Sequence, residues 1–465
     1  MTTILTDIGW TGLSNGVWTD ASDTVTDNVG GIVNHAGITA NTLDGKDSVT
    51  GSRGVDPSAL GGTPVAGLGP LYFGIENLGT IIMGKGQDSI TGTAIGIDPA
   101  YRVYGIYNEI GSKIAMGDGN HDSLTGIATG DGNLIPSFPI AGIYNRSGVI
   151  TMGNGDHDSI TGTGTATGTS GFASGIFNRQ GGVIAMGDGN QDSITGIGGF
   201  YNGIYNRGTI TMGNGNQDSI TGTGLSNGSY GIYNQDLAAL SNSPTITLGD
   251  GNKDSIIGTA TGTTGNGGIG IYNKGHSTIT MGNGNQDSII GTATGDEGIG
   301  ILNEILSTIT MGNGNKDSII GTATGMMSIG IKNLGNSTIT MGDGNDTITA
   351  SGTQYGIYNS GTIQLGDGND TITANGGFGG DGTLILGSGK DTVIGFGAQT
   401  IKGGGGKDTL IVPSGSYKVG INLGSQLETL TANNVTMSIS GFTNLRVGAN
   451  PYKFSQLTNN QVLMG

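Results

Sequence analysis

The chain of 465 residues contains no cysteine, which excludes disulfides, zinc–thiolate sites and thiol nucleophiles. Proline is scarce at 9 residues and only 11% of residues are charged, a composition unlike a collagen or an ordinary globular surface. Positive charge is in shortest supply. Lys and Arg number 18 against 35 Asp and Glu, a net charge of −17, which sets the chain against nucleic acid and anionic membrane and favours cations. No apolar run approaches the ~20 residues of a membrane-spanning helix. The start, MTTILTDIGW, has neither the basic nor the apolar region of a cleavable signal.

Glycine fills the gap, with 97 residues, and it recurs in phase. Each repeat reads as a strand of the GIYN type, a strand of the TITM type, a turn of the GNGNQ type and a strand of the DSITG type. Residues 203–222 (GIYNRGTITMGNGNQDSITG) give the clearest copy. Three strands per repeat predict an all-β, right-handed parallel β-helix. The Asp that opens the third strand falls at Asp47, Asp88, Asp122, Asp158, Asp192, Asp218, Asp254, Asp287, Asp317, Asp346, Asp370, Asp391 and Asp408, about thirteen coils. At ~4.8 Å per coil the rod is about 60 Å long. Residues 31–411 are expected to form this one repeat domain. Residues 1–30, with DTVT at 23–26, read as an N-terminal cap or degenerate coil. Residues 412–465, poorer in glycine and with alternating runs such as YKVGINL, read as a small C-terminal β cap, secretion or assembly segment.

Strand alternation assigns the faces. Ile210 and Met212 in the second strand, and Ile220 in the third, point inward in every coil, so the methionines are packing residues. In the first strand Ile106, Ile143, Ile204 and Ile232 point inward. The Asn two residues later therefore does so too, and residues such as Asn77, Asn108, Asn145 and Asn206 are expected to form a hydrogen-bonded ladder. The outward positions carry Tyr107, Tyr144, Phe177, Tyr205, Tyr233, Tyr272 and Tyr358. This aromatic stripe is either stacked within the molecule or a contact face for a sugar or a second molecule. Arg146, Arg179 and Arg207 follow the Asn on three consecutive coils and are expected to be solvated. Thr pairs such as Thr209/Thr211 and Thr278/Thr280 cover the outside of the second strand.

Four turns carry a further signal. Residues 403–411 (GGGGKDTLI) match the pattern GGxGxDxUx, with U large and apolar; residues 341–349, 365–373 and 386–394 lack only the first Gly. These turns resemble the RTX, or haemolysin-type, calcium-binding repeats. The resemblance implies that the helix narrows there to a β-roll. It also implies a Ca²⁺ ion held by the side chains of Asp346, Asp370, Asp391 and Asp408 with backbone carbonyls around Gly342, Gly344, Gly366, Gly368, Gly387, Gly389, Gly404 and Gly406, all oxygen donors suited to calcium. Secretion by a one-step route without a cleaved N-terminal signal follows from the same likeness. Between residues 117 and 317 the turn is one residue longer, and its extra slot takes His121, His157, Gln191, Gln217, Lys253, Gln286 or Lys316. Calcium is not implied equally there, and ladders of Asn and Asp are the alternative.

Catalysis requires clustered groups that break the repeat. The acids here are almost all in phase, and His35, His121, His157 and His276 lie at places that do not converge, so no catalytic residue is assigned. The chain is similar to calcium-binding repeat proteins of bacterial, especially cyanobacterial, surfaces. That likeness implies an extracellular structural protein whose partner is itself, in a surface layer or fibril. An adhesin that presents the aromatic or Thr face to cell-surface polysaccharide or ice is the second reading, and a polysaccharide lyase or epimerase the third.

Overall fold

A computed structural model describes residues 11–13, 16–17, 24–27, 31–42, 44–53, 71–96, 102–131, 139–167, 171–236, 243–262, 267–422 and 427–465. Among these, the short turn Phe454–Gln456 is the one helical element, and all other regular structure is strand. Every coil contributes one strand to each of three parallel sheets, except at the C-terminal end. The first sheet has 13 strands, from Thr11–Leu13 to Phe378–Gly379, and the third has 16, from Thr24–Asp27 to Asn450–Lys453. The second is a stack of short strands such as Thr209–Thr211, Thr245–Thr247 and Thr278–Thr280. The protein is a parallel β-solenoid.

Identical residues lie above one another because the register never slips within the repeats. Ile106 pairs with Ile143, Ile143 with Ile176 and Ile176 with Ile204. The interior is correspondingly a set of columns: Ile210, Ile220 and Ile232 are 0% exposed and Met212 is 4%. Each buried Ile contributes about 1.5–3 kcal/mol relative to exposure. The Asn column is also interior. Eleven residues, beginning one coil earlier than expected with Asn34 and ending with Asn359, are joined by ten Nδ2-to-Oδ1 hydrogen bonds of 2.7–2.9 Å, each amide donating to the next coil. The remaining N–H of Asn206 reaches the carbonyls of Gly208 and Thr245. Replacing Asn206 by Ala strands the N–H of Gly208 and the side-chain oxygen of Asn234, while the Asn178 amide keeps the carbonyls of Gly182 and Thr209. A loss of at least about 2 kcal/mol in urea unfolding is expected, since each buried polar group left without a partner costs about 1–3 kcal/mol.

Strands of the first coil, Thr11–Leu13, Gly16–Val17 and Thr24–Asp27, pair in parallel with Ile32–Asn34, Thr39–Asn41 and Ser48–Arg53. The solenoid is therefore already coiling before residue 31, one coil ahead of the thirteen marked by aspartates. Residues 1–10 lie outside the described residues.

Coils shorten along the rod, from 41 residues between Asp47 and Asp88 to 24, 21 and 17 between the last four aspartates. Beyond them the chain closes the end. Val435–Ser440 adds to Thr400–Lys402 and Phe442–Val447 to Asp408–Val412, both in parallel. Antiparallel strands then fold over the remaining edge, with Ser416–Asn422 between Leu427–Ala432 and Val462–Met464. Leu430, Met437, Ile439, Leu445 and Leu463 extend the core into this cap.

Candidate functional site

The turns between the second and third sheets carry the chemistry. In DSITG the Asp stands two residues before an inward Ile, so it points inward as well, and all thirteen aspartates are at most 1% exposed. Twelve hydrogen bonds of 2.7–3.0 Å run along the column, the Asp N–H of each coil donating to Oδ1 of the Asp one coil on. In the twelve aspartates from residue 88 on, the second oxygen, Oδ2, is buried without a hydrogen-bond partner. A buried ionised carboxylate in that state is costly. Burial pushes Asp122, Asp218, Asp287 and Asp370 up to about 7, Asp158 to about 8, and Asp88, Asp192, Asp254, Asp346 and Asp391 to about 6, with the backbone N–H bond pulling the other way. Asp317 and Asp408 are raised for the same reason.

The turn glycines are set by this column and by the coil before. A Cβ on Gly215 would lie 1.5 Å from the carbonyl oxygen of Gly189 and 3.0 Å from Oδ2 of Asp218. Only glycine fits. Two turn geometries result. In the longer turns the extra residue takes the left-handed conformation, with φ of 63° to 66° at His121, His157, Gln191, Gln217, Lys253, Gln286 and Lys316. In the short turns that residue is missing and glycine carries the positive φ, as at Gly366 (126°) and Gly368 (153°). The short turns also zip together as sheet: Gly366, Asp367 and Gly368 pair with Gly387, Ser388 and Gly389.

Two exposed columns flank the buried one. Along the first, Asp118, Asn154, Asp188, Asn214, Asp250 and Asn283 alternate, and each backbone N–H donates to the side-chain oxygen one coil back, at 2.8–3.2 Å. The second, Asn120, Asp156, Asn190, Asn216, Asn252, Asn285 and Asn315, is amide except at Asp156 and makes the same backbone N–H bonds to the coil before at 2.8–3.0 Å. Alternation keeps like charges from stacking and lets Asn214 Nδ2 donate to Asp188 at 3.1 Å. Asp343 and Asp367 break the rule in the short turns, where two acids stack and Ser388 Oγ donates to Asp367.

Asp346, Asp370, Asp391 and Asp408 are thus brought into one column, each with a free buried oxygen. Carbonyls join them along the axis: those of Gly342, Gly344, Gly366, Gly368, Gly387 and Gly389 lie under the α-carbons of Gly366, Gly368, Gly387, Gly389, Gly404 and Gly406. Among the described residues no cluster of three or more Asp, Glu, His or Cys side chains offers itself to a metal. A bound ion would therefore rest on one carboxylate oxygen per coil and backbone carbonyls, a donor set of oxygens alone that fits a hard divalent cation. The aspartates of the longer turns have the same orphaned oxygen, a feature missed from sequence although the i, i+2 spacing of Asp and Ile carried it.

The aromatic stripe stacks on itself. Tyr205 and Tyr233 lie 5.1 Å apart at 10°, Tyr233 and Tyr272 4.8 Å apart at 12°, and Phe177 and Tyr205 4.6 Å apart. Tyr104 adds a second layer against Tyr107 and Tyr144. Exposure falls to 4% at Tyr107 and 7% at Tyr272, while Tyr358 stands apart beside Tyr355. The arginines correct an expectation: Arg146 pairs with Glu109 at 3.1 Å and Arg179 donates to the Tyr144 hydroxyl at 3.3 Å, so both are tied to the coil before them and not merely solvated.

Stacked carboxylate and amide ladders on repeated turns define the chain as a parallel β-solenoid with an acidic turn ridge. No protein-family model matches it, and no curated protein is detectably similar.

Proposed function

We propose that this chain is an extracellular structural protein, stabilised by calcium in its C-terminal coils and assembling with copies of itself into a surface layer or fibril. The observation that carries the reading is the repetition of every candidate group: a lattice of equivalent positions suits a scaffold, whereas catalysis uses one unique constellation. The orphaned oxygens of Asp346, Asp370, Asp391 and Asp408 support calcium as the counter-charge, and the match of their turns to the RTX pattern supports secretion into a medium that supplies it.

Chelation with EGTA is expected to lower the thermal midpoint, and restoring calcium to recover it. Replacing Asp370 and Asp391 by Asn should remove that response while leaving the ladder acceptors in place. An unchanged midpoint in EGTA sinks the calcium part. Negative-stain microscopy with calcium should reveal filaments or sheets; single rods of about 75 Å, the length of 16 rungs, at every concentration would overturn the assembly part.

A further inference from the structure

The outward residues of the third sheet form three columns in unbroken register. One runs from Ser48 to Thr409, the next from Thr50 to Ile411, the third from Ser52 to Asn375. Every position in them is Ser, Thr, Ile or Asn, and none is charged. All are half-exposed or exposed and none is buried, so the described residues leave the face open. Its charge-free stretch ends at the cap, where Arg446 pairs with Ile411.

A soluble surface ordinarily mixes charges throughout. Here a chain of net charge −17 carries acids on the turn ridge and on the first sheet, and cations Lys113 and Lys402 on the second, whereas these columns of the third sheet make a flat side with no charge of either sign. Two copies meeting ridge to ridge repel each other. Meeting third sheet to third sheet, they bring no charge together. Thirteen rungs at ~4.8 Å and three columns ~6.8 Å apart make a face of about 800 Å², the area that each partner contributes to a stable interface. Ile257, Ile290 and Ile320 interrupt the Thr column near its midpoint, and Ile394 and Ile411 end it. In a two-fold pairing that apolar patch meets its own copy at the centre, with hydroxyls around it. Because both partners have the same repeat, one matched rung matches the others.

We propose that a second copy of this chain docks on the outward face of the third sheet, the two rods lying side by side. This rests on the self-assembly reading and specifies its surface.

The absence of cysteine makes the test direct. Thr292→Cys, on the same rung as Ile290 at the centre of the pairing, places a thiol on this face, Thr247→Cys on the second sheet and Asn285→Cys on the ridge. A short bis-maleimide, which spans the ~10 Å between facing sheets, is expected to cross-link the first and not the others. Ile290→Glu should weaken association at least about 100-fold by sedimentation, as like charges are buried at the centre. Ile290→Thr, the residue found elsewhere in the column, should retain both the far-UV spectrum and association. If the wild type assembles and Ile290→Glu assembles equally well, or if only Thr247→Cys or Asn285→Cys cross-links, this face is wrong while self-assembly stands. If the wild type is monomeric with and without calcium, both fail. Monomers that bind ice or insoluble polysaccharide through Ile290 would also overturn the proposal.

Discussion

In calcium-free buffer, raising the pH from 5 to 8 is expected to lower the stability of the rod, with the urea midpoint falling throughout that window. The carboxyls of Asp122, Asp158, Asp218 and Asp287 are pushed up to about 7, 8, 7 and 7 by burial, against 3.8 for an unperturbed group. A carboxyl whose folded value is raised binds its proton more tightly in the native state. Its contribution is complete below the unfolded value and is lost as the pH rises through the folded one, here about 6 to 8. One pH unit of unmet protonation costs about 1.4 kcal/mol for one group. Because the column is stacked coil on coil, ionising one Asp also opposes ionisation of the next, so the loss is spread over the range. A total on the order of 10 kcal/mol is expected from these four groups, with a fall in thermal midpoint on the order of 10 °C. The calcium proposed for the C-terminal coils would bind their aspartates in the ionised form, so adding it should restore more stability at pH 8 than at pH 5. Asp218→Asn, which keeps the Oδ1 acceptor for the Asp192 N–H and cannot ionise, should flatten part of the apo profile. A stability that is constant or rises between pH 5 and 8 without calcium would show that the column accommodates its charges.

Alternation made most of the solenoid legible in the sequence. Ile210, Met212 and Ile220 fall on one face by period two, and the same rule places Asn206 beside Ile204 in the interior. The aspartates obey it equally, Asp218 lying two residues before Ile220. An acid is ordinarily an exterior residue, which in sequence places Asp346, Asp370, Asp391 and Asp408 on the turn as ligands, and the burial of the column follows only from the turn that folds over it. The left-handed residue of the longer turns was visible only as an insertion indifferent to charge, since His121, Gln191 and Lys253 share no chemistry that announces a positive φ. For the aromatic stripe the sequence left two outcomes open. What favours stacking is Tyr104, a second layer that no single-strand pattern places against Tyr144. The charge-free face required register as well: a Thr in each repeat is commonplace on strands, but thirteen coils aligned without a slip turn it into a surface.

The sharpest mechanical test of the solenoid lies where its first and third sheets touch. A Cβ on Gly222, in the third sheet, would stand 2.2 Å from the carbonyl oxygen of Gly231 and 2.7 Å from Cγ1 of Ile232 in the first. On Gly231 it would stand 2.2 Å from the N–H nitrogen of Thr259. The nearest neighbours are backbone, already held by hydrogen bonds on both sides, so no flexible side chain is free to yield. Gly222→Ala is therefore expected to cost about 3 kcal/mol or more, at the upper end of what over-packing does elsewhere. The same column changes residue downstream, where Gly321 pairs with Ala350 and Ala350 with Ala374. At those coils the spacing already admits a methyl, and Ala350→Gly should cost only about 1 kcal/mol. Since each coil touches only its neighbours, hydrogen exchange in Gly222→Ala should quicken in Ser193–Gly198 and Ser255–Thr261 and stay unchanged in the C-terminal cap. A Gly222→Ala variant that melts with the wild type, or one that loosens the whole rod at once, would mean that the sheets are not in contact there or that the coils do not act as nearest-neighbour units.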